Sequence, residues 1–254
     1  MCVKKIAGVL RALSGSPHPK NFTSAIIAAA GLSERFGGET TKQMTQLCGD
    51  PVLVHTVRSY QMTECIHEII IVARRHEILT WERLCREYNF DKVTKIIQGG
   101  ETRQMSVMKG LDAVHEKSKY VAIADGARCL TTPDQIEVVC RTAYKYKAAT
   151  AAHRATDTVK IADSKGFIDT TADRNTVWLA QTPQVFKTKL YRAAAYTAFK
   201  KGLEATDDNS LVEFVKHPIR LVECGAQNIK ITTRDELCIA EAILADRKRM
   251  EEEL

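Results

Sequence analysis

A run of small residues followed by two cations is the strongest chemical signal in the sequence. The run Ala29-Ala30-Gly31-Leu32-Ser33-Glu34-Arg35-Phe36-Gly37-Gly38 comes directly after an apolar stretch, and Lys42-Gln43 follows it. Small residues let backbone N–H groups approach phosphate oxygens closely, and Arg35 and Lys42 could neutralise the phosphate charge. The segment therefore predicts a loop that binds a nucleoside triphosphate. A glycine turn flanked by two surface cations would have the same composition.

Two common phosphate-binding motifs do not occur in this sequence. Ser33 interrupts the dinucleotide-binding pattern G-x-G-x-x-G, and no G-x-x-x-x-G-K-[ST] is present anywhere. The hypotheses of a NAD-dependent dehydrogenase and of a P-loop NTPase therefore lose their main support.

Two further segments carry glycine or charge where a strand is expected to end. The first, Gly99-Gly100-Glu101-Thr102-Arg103-Gln104-Met105-Ser106-Val107, lies between a predicted strand and a predicted helix and suits contact with a base, ribose or phosphate. The second, Asp125-Gly126-Ala127-Arg128, lies at the edge where open α/β sheets bind ligands, and its carboxylate is a candidate Mg²⁺ ligand. An ordinary strand-to-helix turn and a helix or turn cap are the structural alternatives for the two segments.

Short β-rich runs alternate with amphipathic stretches, which is typical of βαβ units and a mostly parallel sheet. The sequence predicts strands at 24–30, 68–73, 93–98, 120–124 and 148–152. It predicts helices around 52–60, 76–88, 103–116 and 133–145. Continuous apolar strands separated by helices indicate a sheet buried on both faces, and so an α/β fold class.

Residues 154–178 interrupt this alternation. Asp157-Thr158-Val159-Lys160-Ile161 and Gly166-Phe167-Ile168-Asp169-Thr170 predict two strands around the turn Asp163-Ser164-Lys165, and so an inserted β-hairpin. An isolated hairpin is only marginally stable, so this one is expected to pack on the domain or on another subunit. Beyond it, the sequence predicts a helix at 188–201, strands at 220–223 and 228–231, and a final helix from Thr233.

The composition fits a folded chain with a sizeable core. The 254 residues are 44% hydrophobic and 27% charged, which is ordinary globular usage and argues against a disordered or fibrous protein. No apolar run approaches the ~18 residues of a membrane span. Arg11 interrupts the apolar run near the N-terminus, and no small-residue cleavage signature follows, so a secretory signal is not expected.

Cysteine spacing and net charge restrict the expected partners further. The eight cysteines form no C-x-x-C pair and the seven histidines show no zinc-binding spacing, so we expect reduced thiols in a cytoplasmic protein and no zinc site. The net charge of +6 favours anionic partners. A basic helix with interleaved aromatic residues is lacking, so nucleic acid is not an expected partner.

The motifs gain specificity because they occur together and in order. The loop with its two cations and the glycine and aspartate segments are followed by Asp157-Thr158-Val159-Lys160, Arg174 with Trp178, Gln181-Thr182-Pro183-Gln184, Thr206-Asp207-Asp208 and Asn228-Ile229-Lys230-Ile231-Thr232. This ordered set resembles the 2-C-methyl-D-erythritol 4-phosphate cytidylyltransferase family of the non-mevalonate isoprenoid pathway. The resemblance extends from Ser24 to the last helix.

The resemblance implies a fold, a reaction and an assembly. It implies a Rossmann-like, mostly parallel twisted sheet that forms a single nucleotidyltransferase domain over residues 24–254. Residues 1–23 lie outside the resemblance, and we expect them to be a disordered or peripheral extension. The implied reaction transfers the cytidylyl group of CTP to methylerythritol phosphate with the help of Mg²⁺. The hairpin at about 153–178 is implied to be an arm that joins two copies in a homodimer.

The resemblance also implies a role for individual residues. Arg35 and Lys42 would stabilise charge on the triphosphate, while Arg174 and Lys230 would place the attacking phosphate and Asp125 would bind Mg²⁺. CTP would be held by Ala29, Ala30, Gly31, Leu32, Ser33, Gly100 and Ser106. The second substrate would contact Arg128, Thr158 and Thr206. Two further residues of the same binding region are Arg103 and Gly126.

The sequence departs from the family pattern at two places. Ser33 stands where the family usually has a second glycine, and Ala124-Asp125-Gly126-Ala127-Arg128-Cys129 stands where it usually reads His-Asp-Ala-Ala-Arg-Pro. The alternatives are a cytidylyltransferase for another polyol phosphate, such as ribitol 5-phosphate, and a non-catalytic nucleotide-binding homologue. The Asp157 and Thr206 motifs favour methylerythritol phosphate, and the retained charged residues argue against a non-catalytic protein.

Overall fold

The computed structural model describes residues 19–31 and 41–253. The strands in these ranges are β1 (Thr23–Ala28), β2 (Gln46–Leu47), β3 (Asp50–Pro51), β4 (Glu68–Ala73), β5 (Val93–Gln98), β6 (Tyr120–Asp125), β7 (Ala148–Arg154), β8 (Lys160–Ala162), β9 (Ile168–Thr171), β10 (Trp178–Lys187) and β11 (Arg220–Glu223). The α-helices are α1 (Val52–Met62), α2 (Ile78–Glu87), α3 (Arg103–Ala113), α4 (Pro133–Tyr146), α5 (Thr188–Lys200), α6 (Asp208–Phe214) and α7 (Arg234–Glu252). Short 3₁₀ helices span Arg75–Glu77 and Arg174–Thr176.

Seven strands form one central sheet in the spatial order β11-β7-β10-β6-β1-β4-β5. Neighbouring strands are parallel, except that β10 runs antiparallel to both β6 and β7. The mostly parallel α/β sheet that the sequence predicts is therefore confirmed. Two additional two-stranded sheets pair β2 with β3 and β8 with β9.

Helices cover both faces of the central sheet, and the sheet separates the core into two main layers. One layer contains the large side chains of Tyr60 and Trp81, and the other contains Phe186 stacked on Tyr191. All six residues of β4 are buried, which explains its continuous apolar sequence. Each isoleucine buried in this way contributes roughly 1.5–3 kcal/mol relative to an exposed side chain.

Most predicted elements of the central sheet are confirmed. The bounds of β4, β5 and β11 are the predicted ones, and α7 follows the N-cap Thr233. The side chain of Thr233 accepts a hydrogen bond from the Glu236 backbone and the Glu236 side chain reaches back, a capping box that fixes the start of this helix.

In the C-terminal half, the sequence pattern fails to indicate one strand and predicts one strand that does not form. The sequence pattern did not indicate a strand at β10 because Pro183 and polar residues interrupt it, and the register of the strand shifts between Ala180 and Gln184. The strand predicted at 228–231 is an irregular segment. The side chains of Asn228 and Ile231 in this segment are buried. Ile231 N–H donates at 2.9 Å to Ala127 O, which belongs to a loop and not to a strand.

The inserted β-hairpin is present, with β8 beginning at Lys160. Its turn is closed by a bond from Asp163 N–H to Phe167 O at 2.9 Å and one from Gly166 N–H to Asp163 O at 3.1 Å. Gly166 has a φ of +86°, a conformation that glycine adopts without steric cost. Both strands of the hairpin are exposed.

A helix that spans a membrane must be both long and apolar. Within residues 19–31 and 41–253, no helix meets both conditions.

Candidate active site

Nine of the predicted site residues line one cavity at the carboxyl ends of β1 and β6. The chain leaves β1 for β4 on one side and later adds β6 on the other side, so a crevice opens between the two connections. The register pairs Ala28 with Asp125 at this edge. A cavity of about 140 Å³ lies here, lined by Ala28, Ala30, Gly31, Lys42, Gln43, Gly100, Glu101, Thr102, Arg103, Ser106, Asp125, Gly126, Ala127 and Lys230.

The small-residue loop leaves β1 along the wall of this cavity. Ala29 N–H donates to Val72 O at 2.8 Å, and its side chain is buried in the core rather than turned to the cavity. Ala30 and Gly31 line the cavity itself, and Lys42 returns to it. The predicted site residues Leu32, Ser33 and Arg35 lie outside the described residues.

The Gly99-Gly100 turn is held close to β1 by Ser106. Gly100 N–H donates to Ser106 Oγ at 3.0 Å, one turn inside α3. A Cβ atom on Gly99 would lie 2.5 Å from Ala30 Cβ and 2.8 Å from Ser106 Oγ, so only glycine fits between the loop and the helix. Thr102 caps α3 by accepting the Met105 N–H at 3.1 Å. This segment is therefore a rigid wall of the cavity.

Gly126 connects β6 to the core below the cavity. Its carbonyl accepts a hydrogen bond from Thr56 Oγ1 at 3.0 Å. A Cβ at this position would lie 3.0 Å from Leu53 Cδ1 and 3.1 Å from Ala28 O. The alanine that the family usually carries here would require these neighbours to shift.

Three cations converge on the carboxylate of Asp125. Lys230 Nζ lies 2.9 Å from Oδ2, Arg103 Nε lies 3.0 Å from Oδ1, and Arg128 Nε lies 3.7 Å from Oδ2. Burial alone would raise the pKa of this carboxyl, but the charges of Arg103 and Lys230 hold the pKa well below its usual range. Asp125 is therefore ionised at any pH at which the protein works.

Arg103 joins two carboxylates. Its Nη2 lies 2.8 Å from Oδ2 of Asp208, which is 1% exposed, while Nε faces Asp125. Burial opposes the charge on Arg103, but the two carboxylates raise the pKa of the guanidinium above its usual range. Arg103 thus fixes the position of Asp125. The carboxylates of Asp125 and Asp208 together compensate the charge of Arg103.

Lys230 reaches the site because Asn228 anchors its segment. Asn228 is fully buried; its Nδ2 donates to Thr182 O at 2.9 Å, and its Oδ1 accepts from Thr131 Oγ1 at 2.8 Å. The backbone carbonyl of Asn228 accepts from Arg128 Nη1 at 2.6 Å. The backbone N–H of Asp125 donates to Thr182 Oγ1 at 3.1 Å, so Thr182 contacts both Asn228 and Asp125. This network connects the segment of Arg128 and Lys230 to the strand that carries Asp125.

Three predicted second-substrate residues do not line the cavity within this chain. Thr158, Arg174 and Thr206 are exposed. Arg174 Nη1 donates to Thr156 O at 2.9 Å at the base of the hairpin. Thr206 precedes Asp207, and it is Asp207 that caps α6, by accepting from Ser210 N–H at 3.0 Å.

Two residues within the sequence motifs, Asp208 and Gln184, take part in the site although the sequence alone predicts no role for them. Asp208 is buried and receives a hydrogen bond from Tyr191 Oη at 2.5 Å in addition to the Arg103 ion pair. Gln184 Oε1 accepts the N–H groups of Asp208 and Asn209 at 3.0 and 3.1 Å. The signal was the pair of adjacent carboxylates after Thr206, because a buried carboxylate requires a cationic partner.

Comparisons with known proteins give one consistent match. The IspD family model, described as 2-C-methyl-D-erythritol 4-phosphate cytidylyltransferase, matches residues 23–246. A protein of that name from Caldanaerobacter subterraneus subsp. tengcongensis is 40% identical over 222 residues, which cover 87% of this chain and 98% of the relative.

Solved structures give the same result. The 4-diphosphocytidyl-2C-methyl-D-erythritol synthase of Anaerococcus prevotii has a TM-score of 0.79 at 30% identity, with 89% of this chain and 96% of that chain covered. The 2-C-methyl-D-erythritol 4-phosphate cytidylyltransferase of Thermus thermophilus has a TM-score of 0.72 at 28% identity, with 87% and 98% covered.

Proposed function

The chain belongs to the 2-C-methyl-D-erythritol 4-phosphate cytidylyltransferase family, and from this premise we propose how the residues of its cavity carry out the reaction. The protein is a nucleotidyltransferase of isoprenoid precursor biosynthesis. A phosphate oxygen of methylerythritol phosphate forms a bond to the α-phosphorus of CTP, and the bond from that phosphorus to the bridging oxygen breaks. The products are 4-diphosphocytidyl-2-C-methyl-D-erythritol and pyrophosphate.

Such a reaction requires positioning and charge neutralisation more than covalent help from the protein. The convergence of three cations on Asp125, beside a wall of small residues, is the observation that carries the proposal. Lys42 lines the same cavity and is assigned to the triphosphate, together with Arg35. The wall formed by Ala30, Gly31, Gly100 and Ser106 is assigned to CTP, with Ala29, Leu32 and Ser33 completing the loop.

Lys230 is assigned to the attacking phosphate of the second substrate. Its side chain is 36% exposed, so a phosphate can reach the ammonium group without unfolding the site. Arg103 is assigned to the orientation of Asp125, because its Nε and Nη2 are already paired with the carboxylates of Asp125 and Asp208. Arg128 and Gly126 complete the proposed second-substrate side next to Asp125. Thr206, which does not line the cavity, is assigned to the second substrate on the family resemblance alone.

The family implies Mg²⁺, and the donor set is compatible with it. Within residues 19–31 and 41–253, no group of three or more His, Cys, Asp or Glu side chains could hold a metal ion alone. Mg²⁺ is usually bound by one or two carboxylates together with substrate phosphates, and Asp125 lines the cavity proposed for the triphosphate. We assign Asp125 as its protein ligand. The ion would neutralise charge on the phosphate groups.

We also propose that the hairpin joins two copies of the chain in a homodimer. The hairpin exposes Ile161, Phe167 and Ile168, whose exposed fractions are 47%, 70% and 64%. Apolar side chains on an exposed hairpin favour a partner surface. Thr158 and Arg174 lie on the same arm and do not line this chain's cavity, so we assign them to the second-substrate pocket of the partner.

We further propose a cytoplasmic location and a peripheral role for the segment that precedes β1, which begins at Thr23 and not at the predicted Ser24. The location is supported by the seven cysteines among the described residues, all of which are free thiols.

One experiment tests the proposed substrate. The purified chain is incubated with CTP, Mg²⁺ and either methylerythritol phosphate or ribitol 5-phosphate, and the release of pyrophosphate is measured. Rapid release is expected with methylerythritol phosphate alone. Release only with ribitol 5-phosphate would identify the other polyol, and a folded protein that binds CTP but releases no pyrophosphate would identify a non-catalytic homologue.

A further inference from the structure

Arg74 connects the end of β4 to the small-residue loop. Its Nη2 donates to Gly31 O at 2.6 Å. Gly31 is the last described residue before the segment 32–40, which contains Arg35. Arg74 immediately follows β4, the strand adjacent to β1, so the bond crosses from one strand end to the next.

Glu77 makes the matching contact on the other side of that segment. Its Oε1 accepts a hydrogen bond from Thr41 Oγ1 at 2.8 Å, and Thr41 is the first described residue after segment 32–40. Glu77 is only 5% exposed. The two residues that flank the nucleotide loop are therefore both held by one short piece of chain.

That piece of chain is rigid. Glu77 N–H donates to Arg74 O at 3.0 Å, the turn continues into α2, and β4 before it is buried throughout. Arg74 Nε and Glu77 Oε2 are buried and lack a hydrogen-bond partner in the part of the chain that the structure describes. Unpaired buried polar atoms are costly, so these two atoms lower the free energy of unfolding of the protein.

We propose that Arg74 and Glu77 are positioning residues that hold Gly31 and Thr41, and so keep Gly31 and Lys42 where they line the cavity. This inference rests on the proposed assignment of the cavity to CTP. Residues that are held in place before the ligand arrives lower the ordering cost that binding must otherwise overcome. The effect therefore falls on CTP and not on methylerythritol phosphate.

A double-mutant cycle tests the Glu77 contact. Thr41→Val and Glu77→Leu each remove the bond, and each should raise the KM for CTP and the Kd measured with CTP alone about three- to tenfold. In the double variant, the KM for CTP should rise no further than in either single variant, because each substitution removes the same hydrogen bond. Glu77→Gln keeps an acceptor oxygen for Thr41 Oγ1, so this variant should have the wild-type KM for CTP.

The Arg74 contact has its own matched control. Arg74→Met should raise the KM for CTP about tenfold, Arg74→Lys less, and Arg75→Met, which removes a neighbouring exposed charge, less than twofold. The KM for methylerythritol phosphate should stay within twofold in every variant, with an unchanged melting temperature in Glu77→Gln and Arg75→Met.

The inference is overturned if the Thr41 and Glu77 effects multiply in the double variant, if both KM values rise together, or if Arg75→Met matches Arg74→Met. These outcomes are distinct from failure of the proposed function, which would appear as absence of pyrophosphate release in the wild-type protein.

Discussion

Lys230 Nζ lies 2.9 Å from Asp125 Oδ2, so the cation assigned to the substrate phosphate and the carboxylate assigned to the metal are each other's partners. Substrate entry can therefore proceed as an exchange. With Mg²⁺ held by Asp125 as proposed, Lys230 would be released to pair with the incoming phosphate. Each of the two side chains would then keep an oppositely charged partner, which would limit the cost of the rearrangement.

The first prediction concerns Lys42. Lys42→Ala should lower kcat by about 10²–10³, because negative charge develops on the phosphates in the transition state and one stabilising cation is lost. Pyrophosphate release and the melting temperature are measured together. Lys189→Ala removes an exposed cation in the first turn of α5 and serves as the control, with kcat expected to be unchanged. Near-normal kcat in a folded Lys42→Ala protein would contradict the assigned role.

The second prediction is a pH dependence of stability that originates at Asp125. Its pKa in the folded protein is below the ordinary value of about 4, so its ion pairs stabilise the fold above that pH and the contribution is lost as the pH falls below it. Asp125→Asn should cost about 2–4 kcal/mol at pH 7, since it leaves buried cations without their partner.

Urea denaturation of wild type and Asp125→Asn at pH 7, 5 and 3.5 measures this difference. The difference in the free energy of unfolding between wild type and Asp125→Asn should be constant from pH 7 to pH 5 and should become smaller at pH 3.5. A gap that is the same at all three values would show that Asp125 does not carry the effect through its charge.

The third prediction concerns Asn228. Asn228→Ala leaves Thr131 Oγ1 and Thr182 O without their buried partner and should destabilise the protein by about 3 kcal/mol. Because the same segment carries Lys230, the KM for methylerythritol phosphate should rise more than the KM for CTP. Denaturant titration and steady-state kinetics are the measurements. Equal increases in the two KM values would argue that Asn228 has only a structural role.

The fourth prediction tests the homodimer. If Arg174 serves the partner's site, mixing Lys42→Ala with Arg174→Ala chains should rebuild one intact site in each mixed dimer. With random exchange, about half of the dimers are mixed, so roughly a quarter of wild-type activity should return from two nearly inactive parents. Mass spectrometry confirms the mixed dimers. If they form without any gain in activity, Lys42 and Arg174 serve the site of the same chain, and the hairpin does not complete the partner's site.

The sequence predicted the parallel part of the sheet well and the antiparallel part poorly. Strands such as β4 are buried on both faces, so their apolar runs are unmistakable. In β10, Gln181, Thr182 and Gln184 are buried polar residues that serve the site, and their side chains replace the apolar pattern of a strand. The same demand for buried polar contacts made the Asn228 segment look like a strand when it is an irregular anchor.

The candidate site was predicted in its composition but not in its connections. Asp125, Arg103 and Lys230 come from three distant parts of the sequence, and only the fold brings them into contact. Spacing along the chain contains no information about which carboxylate Arg103 pairs with. The contribution of Asp208 therefore became visible only in the structure.

The position of β10 between β6 and β7 also determines the order in which the protein can fold during synthesis. Strands β5, β4, β1 and β6 all come from the chain up to Asp125 and can pair as soon as they leave the ribosome. Until β10 arrives, β6 presents an unpaired edge formed by apolar residues such as Val121 and Ile123. A nascent chain that paired its first four strands before β10 had been translated would therefore leave an open, aggregation-prone sheet edge at β6.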